Sequence, residues 1–144
     1  MRLAVLILAA LLAAPALAGE AKAPEKAQEK APEPGTSVEM PYLIAPMTVD
    51  GRLVAYAYIS SKIVASSPSA AIEVRLKLAF IQDAFVRDVN GAPIALASDP
   101  TRVDEKAVTV RLLADARRIV GAAKVADLKL IQVQISPMRP NPQG

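Results

Sequence analysis

Serine and lysine side chains that could form a nucleophilic centre are concentrated where a predicted strand meets a predicted helix. The polar residues of this stretch are Ser60, Ser61, Lys62, Ser66, Ser67 and Ser69. A serine hydroxyl becomes an effective nucleophile only when a neighbouring base accepts its proton, and the chain has no histidine. Lys62 is the base that remains, but the tripeptide Ser-Ser-Lys carries no flanking signature of a hydrolase. A hydrolase at this corner is therefore the weakest functional hypothesis, and we predict no catalytic residue.

Carboxylates are numerous, but their spacing does not bring them together. Glycoside chemistry needs two carboxyl groups that converge in a cleft, whereas the aspartates fall on predicted helix surfaces or helix ends: Asp83, Asp88, Asp99, Asp104 and Asp115. The sequence Asp-Val-Asn-Gly at 88–91 lacks the alternating ligands and terminal glutamate of a calcium loop. Cysteine and histidine are absent, which removes thiol chemistry and the commonest transition-metal ligands. We predict no cofactor-binding residue, no metal site and no enzymatic activity.

The elements that would position these residues begin with a pair of strands. An apolar segment at 41–47 is followed by Asp50-Gly51, a strong signal for a tight hairpin turn. The segment 53–65 that follows is rich in β-branched residues and tyrosine, and its side chains alternate between two faces. One predicted face carries Leu53, Ala55, Ala57, Ile59, Ser61 and Ile63. The other carries Val54, Tyr56, Tyr58, Ser60, Lys62 and Val64, and its more polar character predicts a sheet that is covered on one side.

Two helices are predicted next. The first begins with Ser67 as N-cap and Pro68 in the first turn, and it ends at Asn90-Gly91, which we expect to adopt a left-handed stop. Its buried stripe is predicted to be Val74, Leu78, Ile81, Phe85 and Val89. The second helix runs from Val103 or Asp104 to Val120 and is ended by Gly121. The connector between the helices contains two prolines and a short extended piece.

A last strand at 127–135 completes the predicted fold. Its residues Ile131, Val133 and Ile135 are expected to share one face. The element order is therefore β-β-α-α-β, which predicts an α+β fold with a small antiparallel sheet and two helices packed on one face. We predict a single domain over 38–136 and a flexible Pro-rich tail over 137–144.

The N-terminus has the three parts of a secretory signal peptide over residues 1–18. A basic start and an apolar run lead to Ala16-Leu17-Ala18, which predicts cleavage between Ala18 and Gly19. The predicted location is the periplasm or the exterior of the cell. The alternative is an uncleaved anchor that holds the domain at the periplasmic side of the inner membrane. An Ala/Pro/Lys/Glu segment at 19–37 has no branched aliphatic residue and is predicted to be a disordered linker.

The charge pattern excludes one class of partner and suggests another. A net charge of +3 with few aromatic residues and no tryptophan gives no basis for binding nucleic acid. Charged residues at i, i+4 spacing occupy the side of the first predicted helix opposite its apolar stripe. A possible docking face is therefore Glu73, Lys77, Asp83 and Arg87, and the alternative is an ordinary solvated face.

Several short motifs follow one another in an order that resembles the periplasmic domain of the flagellar basal-body-associated FliL family. The opening strand carries Tyr42-Leu43-Ile44-Ala45-Pro46, and a long strand follows at 52–64. The first helix carries Ile81-Gln82-Asp83-Ala84-Phe85-Val86-Arg87. The last strand starts with Val125-Ala126-Asp127-Leu128 and continues to Ile135. The resemblance covers about 41–135, nearly the whole predicted domain.

This resemblance implies a stomatin-like α+β domain that assembles beside the flagellar stator units and supports torque without catalysis. The leading hypothesis is accordingly a non-enzymatic, exported envelope domain that acts by protein–protein association, through self-association or docking to a membrane complex. A FliL-like motor accessory is its most specific form. The alternative is a periplasmic carrier of a small molecule or lipid. A membrane is expected as a partner only if the N-terminal segment is retained.

Overall fold

The computed structural model of the protein describes residues 34–139. The predicted signal peptide, its cleavage site at Ala16, Ala18 and Gly19, most of the predicted linker and the end of the Pro-rich tail lie outside these residues. No helix within the described part is long and apolar enough to cross a membrane.

A fully antiparallel sheet forms one layer of the domain. Its strands are β1 (Ser37–Glu39), β2 (Leu43–Val49), β3 (Arg52–Ala65) and β6 (Val125–Pro137). The long strand β3 lies in the middle, because β1 and β2 pair with successive parts of one of its edges and β6 pairs along the other. The predicted strands are confirmed, and β1 is an addition. Thr36 and Ser37 were assigned to the linker, but the Thr36 carbonyl accepts a hydrogen bond from the Ala65 amide at 2.9 Å, so the linker prediction is wrong at this end.

The hairpin between β2 and β3 turns at Asp50-Gly51, as predicted. Both residues have positive φ, 49° for Asp50 and 74° for Gly51. This is the left-handed conformation that the two central residues of a type I′ turn require, and glycine adopts it without a steric penalty from Cβ. The turn therefore fixes the register that places alternate residues of β3, such as Ala57 and Ile59, on the covered side of the sheet.

Two β-bulges move side chains away from their predicted faces. The register between β2 and β3 shifts at Met47/Thr48, where Met47 pairs with Ala55 but Thr48 pairs with Leu53. Leu53 consequently leaves the buried set and is partly exposed. The second shift is between Ser60 and Ser61 and leaves Ile131 of β6 without a partner across the strands. Ile131 is exposed, whereas Val133 and Ile135 pack against the core, so the prediction that the three share a face is wrong for Ile131.

Three helices cover one side of the sheet. They are α1 (Pro68–Leu76), α2 (Leu78–Gly91) and α3 (Glu105–Val120). The predicted N-cap is confirmed, since the Ser67 hydroxyl accepts a hydrogen bond from the Ala70 amide at 3.1 Å. The first predicted helix is interrupted at Lys77, whose amide bonds to the carbonyls of both Glu73 and Val74. This tightened turn separates α1 from α2, and the Ile81 amide then bonds back to the Lys77 carbonyl and continues the helix.

The ends of the two longer helices differ in their chemistry. Helix α3 begins at Asp104, whose side chain accepts a hydrogen bond from the Ala107 amide, and ends at Gly121 with φ 122°, as predicted. Helix α2 does not end in a left-handed stop, because Gly91 is not among the glycines with positive φ and the following Ala92 is extended. The Asn90 side chain instead donates to the Val86 carbonyl at 2.7 Å. The helix therefore ends at the predicted Asn90-Gly91 pair, but the left-handed conformation predicted there is wrong.

The domain is an α+β fold with helices on one face of a small antiparallel sheet, which confirms the predicted class. The core lies between the two layers and is formed by side chains from both, including Leu43, Met47, Ile59, Phe85 and Leu112. The connector between α2 and α3 folds into a small hairpin of β4 (Ala95–Leu96) and β5 (Asp99–Val103). The predicted extended piece is thus a two-stranded ribbon.

The start of β5, just after the turn of this small hairpin, is held by one carboxylate. The Thr101 hydroxyl donates to Asp99 Oδ1 at 2.6 Å and the Thr101 amide donates to the same oxygen at 3.0 Å. These bonds lower the pKa of the Asp99 carboxyl below its ordinary value, against an opposing effect of desolvation and with a lesser contribution from the charge of Arg102. Hydrogen bonds to the charged form favour ionisation, so they support the start of β5 above the ordinary pKa and are lost as the pH falls through the lowered one.

Replacing Thr101→Val is therefore expected to raise the pKa of Asp99 toward its ordinary value, because the hydroxyl donor is removed while the backbone amide is kept. A carboxyl-carbon NMR titration measures this directly. Thr109→Val is the matched control, since the Thr109 hydroxyl donates to the Glu105 carbonyl within α3 and does not contact Asp99. An unchanged Asp99 titration in Thr101→Val would show that the hydroxyl is not the main cause of the shift.

Candidate interaction surface

Helices α1 and α2 form an almost continuous rod with two apolar sides. The side that faces the sheet carries Val74, Ile81, Phe85 and Val89, which are buried. Leu78, the remaining member of the predicted stripe, is partly buried and packs against the same core. Helices of globular proteins normally place polar residues opposite such a stripe. Here the opposite side is interrupted by large apolar residues, which the core does not require.

Four exposed apolar residues define the outer stripe of this rod: Ile72, Leu76, Phe80 and Val86. The side chains of Leu76 and Phe80 are 77% and 69% exposed, and that of Ile72 is 57% exposed. The first three are four residues apart, which places them in a row along one side of a helix. This stripe was not predicted from the sequence, where the periodicity of the buried positions alone defined the helix face. The signal that could have found it is the second i, i+4, i+8 series of large apolar residues, offset from the first.

The four residues of the charged docking face predicted from sequence do not act together. Two of them bond to other parts of the domain, and the other two pair with each other at the surface. The Glu73 carboxylate does not pair with Lys77 but accepts a hydrogen bond from the Lys124 ammonium. Lys77 donates to the Ile119 carbonyl at the end of α3, with an Nζ–O distance of 3.0 Å. Both residues thus fasten α1 to the α3–β6 connection. The predicted Asp83–Arg87 pair is confirmed at 2.8 Å and is exposed.

Asp83 and Arg87 line an open groove between α2 and α3. The groove has a volume of about 430 Å³ and is lined by Phe80, Asp83, Ala84, Arg87, Asp88, Asp115, Arg118 and Ile119. Its charges are already paired, because Asp115 accepts from Arg118 at 2.6 Å and Asp88 accepts from Arg111 at 3.0 Å. Such pairs contribute little to stability when exposed. Phe80 lies in both the groove and the outer stripe, so these two features form one continuous surface.

The residues first considered for chemistry do not form a reactive site. Ser61 is buried on the helix side of β3, while Ser60 and Lys62 alternate to the open side. The Ser67 and Ser69 hydroxyls bond to each other at 3.0 Å at the start of α1. Each aspartate that the sequence singled out has its own partner or capping role. Within residues 34–139 no group of three or more acidic, histidine or cysteine side chains could hold a metal ion.

The second exposed surface is the side of the sheet that faces away from the helices. It carries the strand tyrosines Tyr56 and Tyr58, and it also carries Ile44, which pairs with Tyr58 across β2 and β3. Ser60, Gln132 and Gln134 share this side, so apolar and polar side chains alternate across it. The mixture is the one expected for a sheet with one face in solvent. Both surfaces carry exposed large apolar side chains, and those of the outer stripe follow one another along a single helical rod.

The chain gives no match to models of protein families and none to curated proteins. On the described surface, large apolar side chains of α1 and α2 face solvent.

Proposed function

We propose that the protein is a non-enzymatic domain of the cell envelope that acts by protein–protein association through the outer stripe. The observation that carries the proposal is the exposure of Ile72, Leu76 and Phe80 in one row. Contiguous apolar patches on soluble domains commonly mark interaction sites, because burying them against a partner is favourable. The predicted signal peptide supports a location in the periplasm or outside the cell.

The packing of the interior supports association rather than internal binding. The core side chains Leu43, Met47, Ile59, Phe85 and Leu112 are essentially inaccessible to solvent and fill the space between sheet and helices. A carrier needs a concave site that surrounds most of its ligand. The described surface instead presents the exposed side chains of Leu76 and Phe80 on one helical rod, which suits a protein partner.

A FliL-like accessory of the flagellar motor is the most specific form of the proposal. The support is the resemblance in motif order over 41–135, together with the element order in which a β hairpin precedes the helices and a long strand ends the domain. In this form the partner is a component of the motor near the stator units. The outer stripe, rather than a catalytic centre, would carry the activity.

A carrier of a small apolar ligand is the second candidate, favoured by one recess. The recess lies beside β3, β5 and β6 and is lined by Val49, Val54, Ala55, Pro100, Thr101, Ile135 and Pro137. Its surface is almost entirely apolar, but its volume of about 270 Å³ falls below the roughly 300–1,000 Å³ of most ligand pockets. Native mass spectrometry of the purified protein would reveal a copurifying ligand of the size that this recess could accept.

The proposal is tested in the native host with a photoreactive residue. Leu76→p-benzoylphenylalanine is expected to form a crosslinked species with one defined protein of the envelope, because Leu76 lies at the centre of the outer stripe. Val110→p-benzoylphenylalanine is the matched control, since Val110 is 61% exposed on α3 outside the stripe. The intact mass of the same protein gives the start of the mature chain, expected at Gly19.

The flagellar form is tested by complementation of a deletion strain in a swimming assay. Leu76→Asp is expected to fail to restore swimming, whereas Val110→Asp restores it. A deletion strain that swims normally would contradict the flagellar form alone. Equal crosslinking from Leu76 and Val110, or none from either, would contradict association through the outer stripe.

A further inference from the structure

We propose that the partner of the outer stripe is the outer stripe of a second copy of this chain, packed antiparallel about a two-fold axis that passes near Ala79. This inference rests on the proposed function and names its partner. It follows from how charge and apolar residues are distributed along α1 and α2, and from which of these side chains already have partners inside the domain.

The outer side of the rod is nearly self-complementary about Ala79. Arg75 lies four residues before Ala79 and Asp83 lies four residues after it, and both are exposed. Ile72 and Val86 lie seven residues before and after it. An isologous contact brings residue i of one copy against residue j of the other, and j against i. Antiparallel packing about Ala79 therefore forms two Arg75–Asp83 pairs and two Ile72–Val86 contacts.

Parallel packing of the same surface is disfavoured by its charges. A side-by-side parallel pair would place Arg75 next to Arg75 and Asp83 next to Asp83, and like charges in contact oppose association. The antiparallel arrangement instead places each Arg75 next to an Asp83 of the other copy, and these opposite charges attract. The charges therefore select the two-fold antiparallel contact among the ways in which this stripe can meet itself.

Arg75 can form such a contact because, unlike the neighbouring charged residues, it is not bonded to another part of the described domain. Glu73 and Lys77 are engaged by Lys124 and by the Ile119 carbonyl, so they stabilise the domain itself. Within residues 34–139 the Arg75 guanidinium makes no hydrogen bond or ion pair, although it lies beside the exposed Leu76. Asp83 is held only by Arg87 on its own helix, with both side chains more than half exposed. Such an exposed pair contributes little and can rearrange when a second copy binds.

Ala79 suits the position at the axis. It is exposed and lies between the apolar side chains of Leu76 and Phe80 along the rod. The distance between two packed helices depends on the side chains at their point of contact, and a small residue there allows close approach. Leu76 and Phe80 of each copy then lie on both sides of the crossing and exclude water from it.

The size of the contact predicts a reversible dimer. The stripe from Ile72 to Val86 is about 21 Å long at 1.5 Å per residue. One helix face of this length covers less than the roughly 800 Å² that each partner buries in a standard stable interface. We expect a reversible dimer whose formation depends on how densely the protein accumulates in the envelope.

Cysteine crosslinking of the full chain tests the axis directly, because the chain has no cysteine of its own. Ala79→Cys places two thiols against each other at the axis, so mild oxidation with copper phenanthroline is expected to give a covalent dimer of the chain. Val110→Cys, which is also exposed on α3, is expected to give roughly tenfold less dimer at the same concentration because it is not held at high effective concentration.

Exchanging the charges at positions 75 and 83 then distinguishes binding of a second copy from binding of a different protein. Arg75→Asp places like charges at both symmetric contacts and is expected to weaken the dimer roughly tenfold in sedimentation equilibrium. The double variant Arg75→Asp/Asp83→Arg exchanges the charges in both copies and is expected to restore the original dissociation constant. A different partner protein would not be restored by this exchange. Circular dichroism confirms that each variant is folded.

The outcomes distinguish this inference from the proposed function. A covalent dimer from Ala79→Cys and recovery in the double variant support self-association. Crosslinking of Leu76→p-benzoylphenylalanine to a different envelope protein, without a covalent dimer from Ala79→Cys, overturns the second copy as partner while the proposed function stands. Absence of any crosslink from either position overturns both.

Discussion

Phe85→Ala is expected to lower the free energy of unfolding by about 3–5 kcal/mol. Phe85 is 1% exposed and is among the largest fully buried side chains of the domain. It projects from α2 into the core between the helices and the sheet, so truncation removes a buried ring and leaves a cavity that neighbouring side chains fill only in part. Because small domains have total stabilities of about 5–15 kcal/mol, this loss is a large fraction of the whole.

Phe80→Ala is the matched control for this prediction. It removes the same ring from the same helix, but Phe80 is 69% exposed and lies on the outer stripe. Its expected effect on unfolding is within about 0.5 kcal/mol, as for most surface substitutions. Urea denaturation of both variants, followed by circular dichroism at a concentration where the chain is monomeric, gives the comparison. Equal losses would mean that α2 does not present the faces described above.

The same pair of phenylalanines separates stability from association. Phe85 contributes to the core of one chain, whereas Phe80 contributes to the groove and the stripe that a second copy would cover. Phe80→Ala should therefore weaken the dimer while leaving the folded monomer intact. A helix with apolar side chains on two sides can pack on both of them. In a single chain only the side that faces the sheet is packed, and the outer stripe is left for a second copy.

Local patterns predicted much of this fold. The Asp50-Gly51 turn could be predicted because only a few residue pairs adopt positive φ at both positions, and the chain carries one of them between two apolar segments. The Ser67 cap and the helix end at Gly121 could be predicted for similar reasons, since each satisfies backbone groups close to it in sequence. Such short-range chemistry depends little on the rest of the protein.

The features that could not be predicted depend on partners that are distant in sequence. Ile131 is exposed because a bulge opposite Ser60 and Ser61 adds one residue to β6, and nothing in the local alternation marks that position. The Asn90-Gly91 pair has the composition of a helix stop, but the chain continues into the β4–β5 hairpin without needing positive φ there. Composition permits a left-handed residue at such a site and does not require one.

The candidate surface was harder to predict than the fold for a related reason. Glu73 and Lys77 have the spacing of an exposed helix pair, yet their partners are Lys124, which follows α3, and Ile119 within α3. Only the tertiary arrangement shows that these charges face inward to the α3–β6 connection. Arg75, which has no such partner within the described residues, could be recognised as available only after the neighbours had been placed.

Ile59→Asp is expected to destabilise the domain severely and in a pH-dependent way. Ile59 is fully buried on the helix side of β3, where it pairs with Leu43 on one strand and Val133 on the other. A carboxyl group in this apolar environment has its pKa raised, because desolvation disfavours the charged form. The folded state must then either keep the proton or bury an unpaired charge, and both cost free energy at neutral pH.

The sign of the pH effect follows from which state holds the proton. Above about pH 4 the unfolded chain releases the proton from the new carboxyl, whereas the folded chain retains it. The stability of Ile59→Asp relative to the unmodified protein should therefore fall by about 1.4 kcal/mol per pH unit from about pH 4 up to the raised pKa. Lowering the pH should recover much of the loss. Urea titrations of both proteins between pH 3 and pH 7 measure this difference.

Tyr58→Asp is the matched control for Ile59→Asp. It introduces the same carboxyl group at the neighbouring residue of β3, on the opposite face of the sheet. Tyr58 lies on the open side of the sheet, where a carboxylate stays hydrated, so the variant should lose little stability and show no comparable slope with pH. The contrast depends only on the alternation of β3 and on helices covering one of its sides. If the two variants responded alike to pH, the sheet would be covered on both faces or on neither. The exposed tyrosines of β3 could then no longer be distinguished from the core residues that alternate with them.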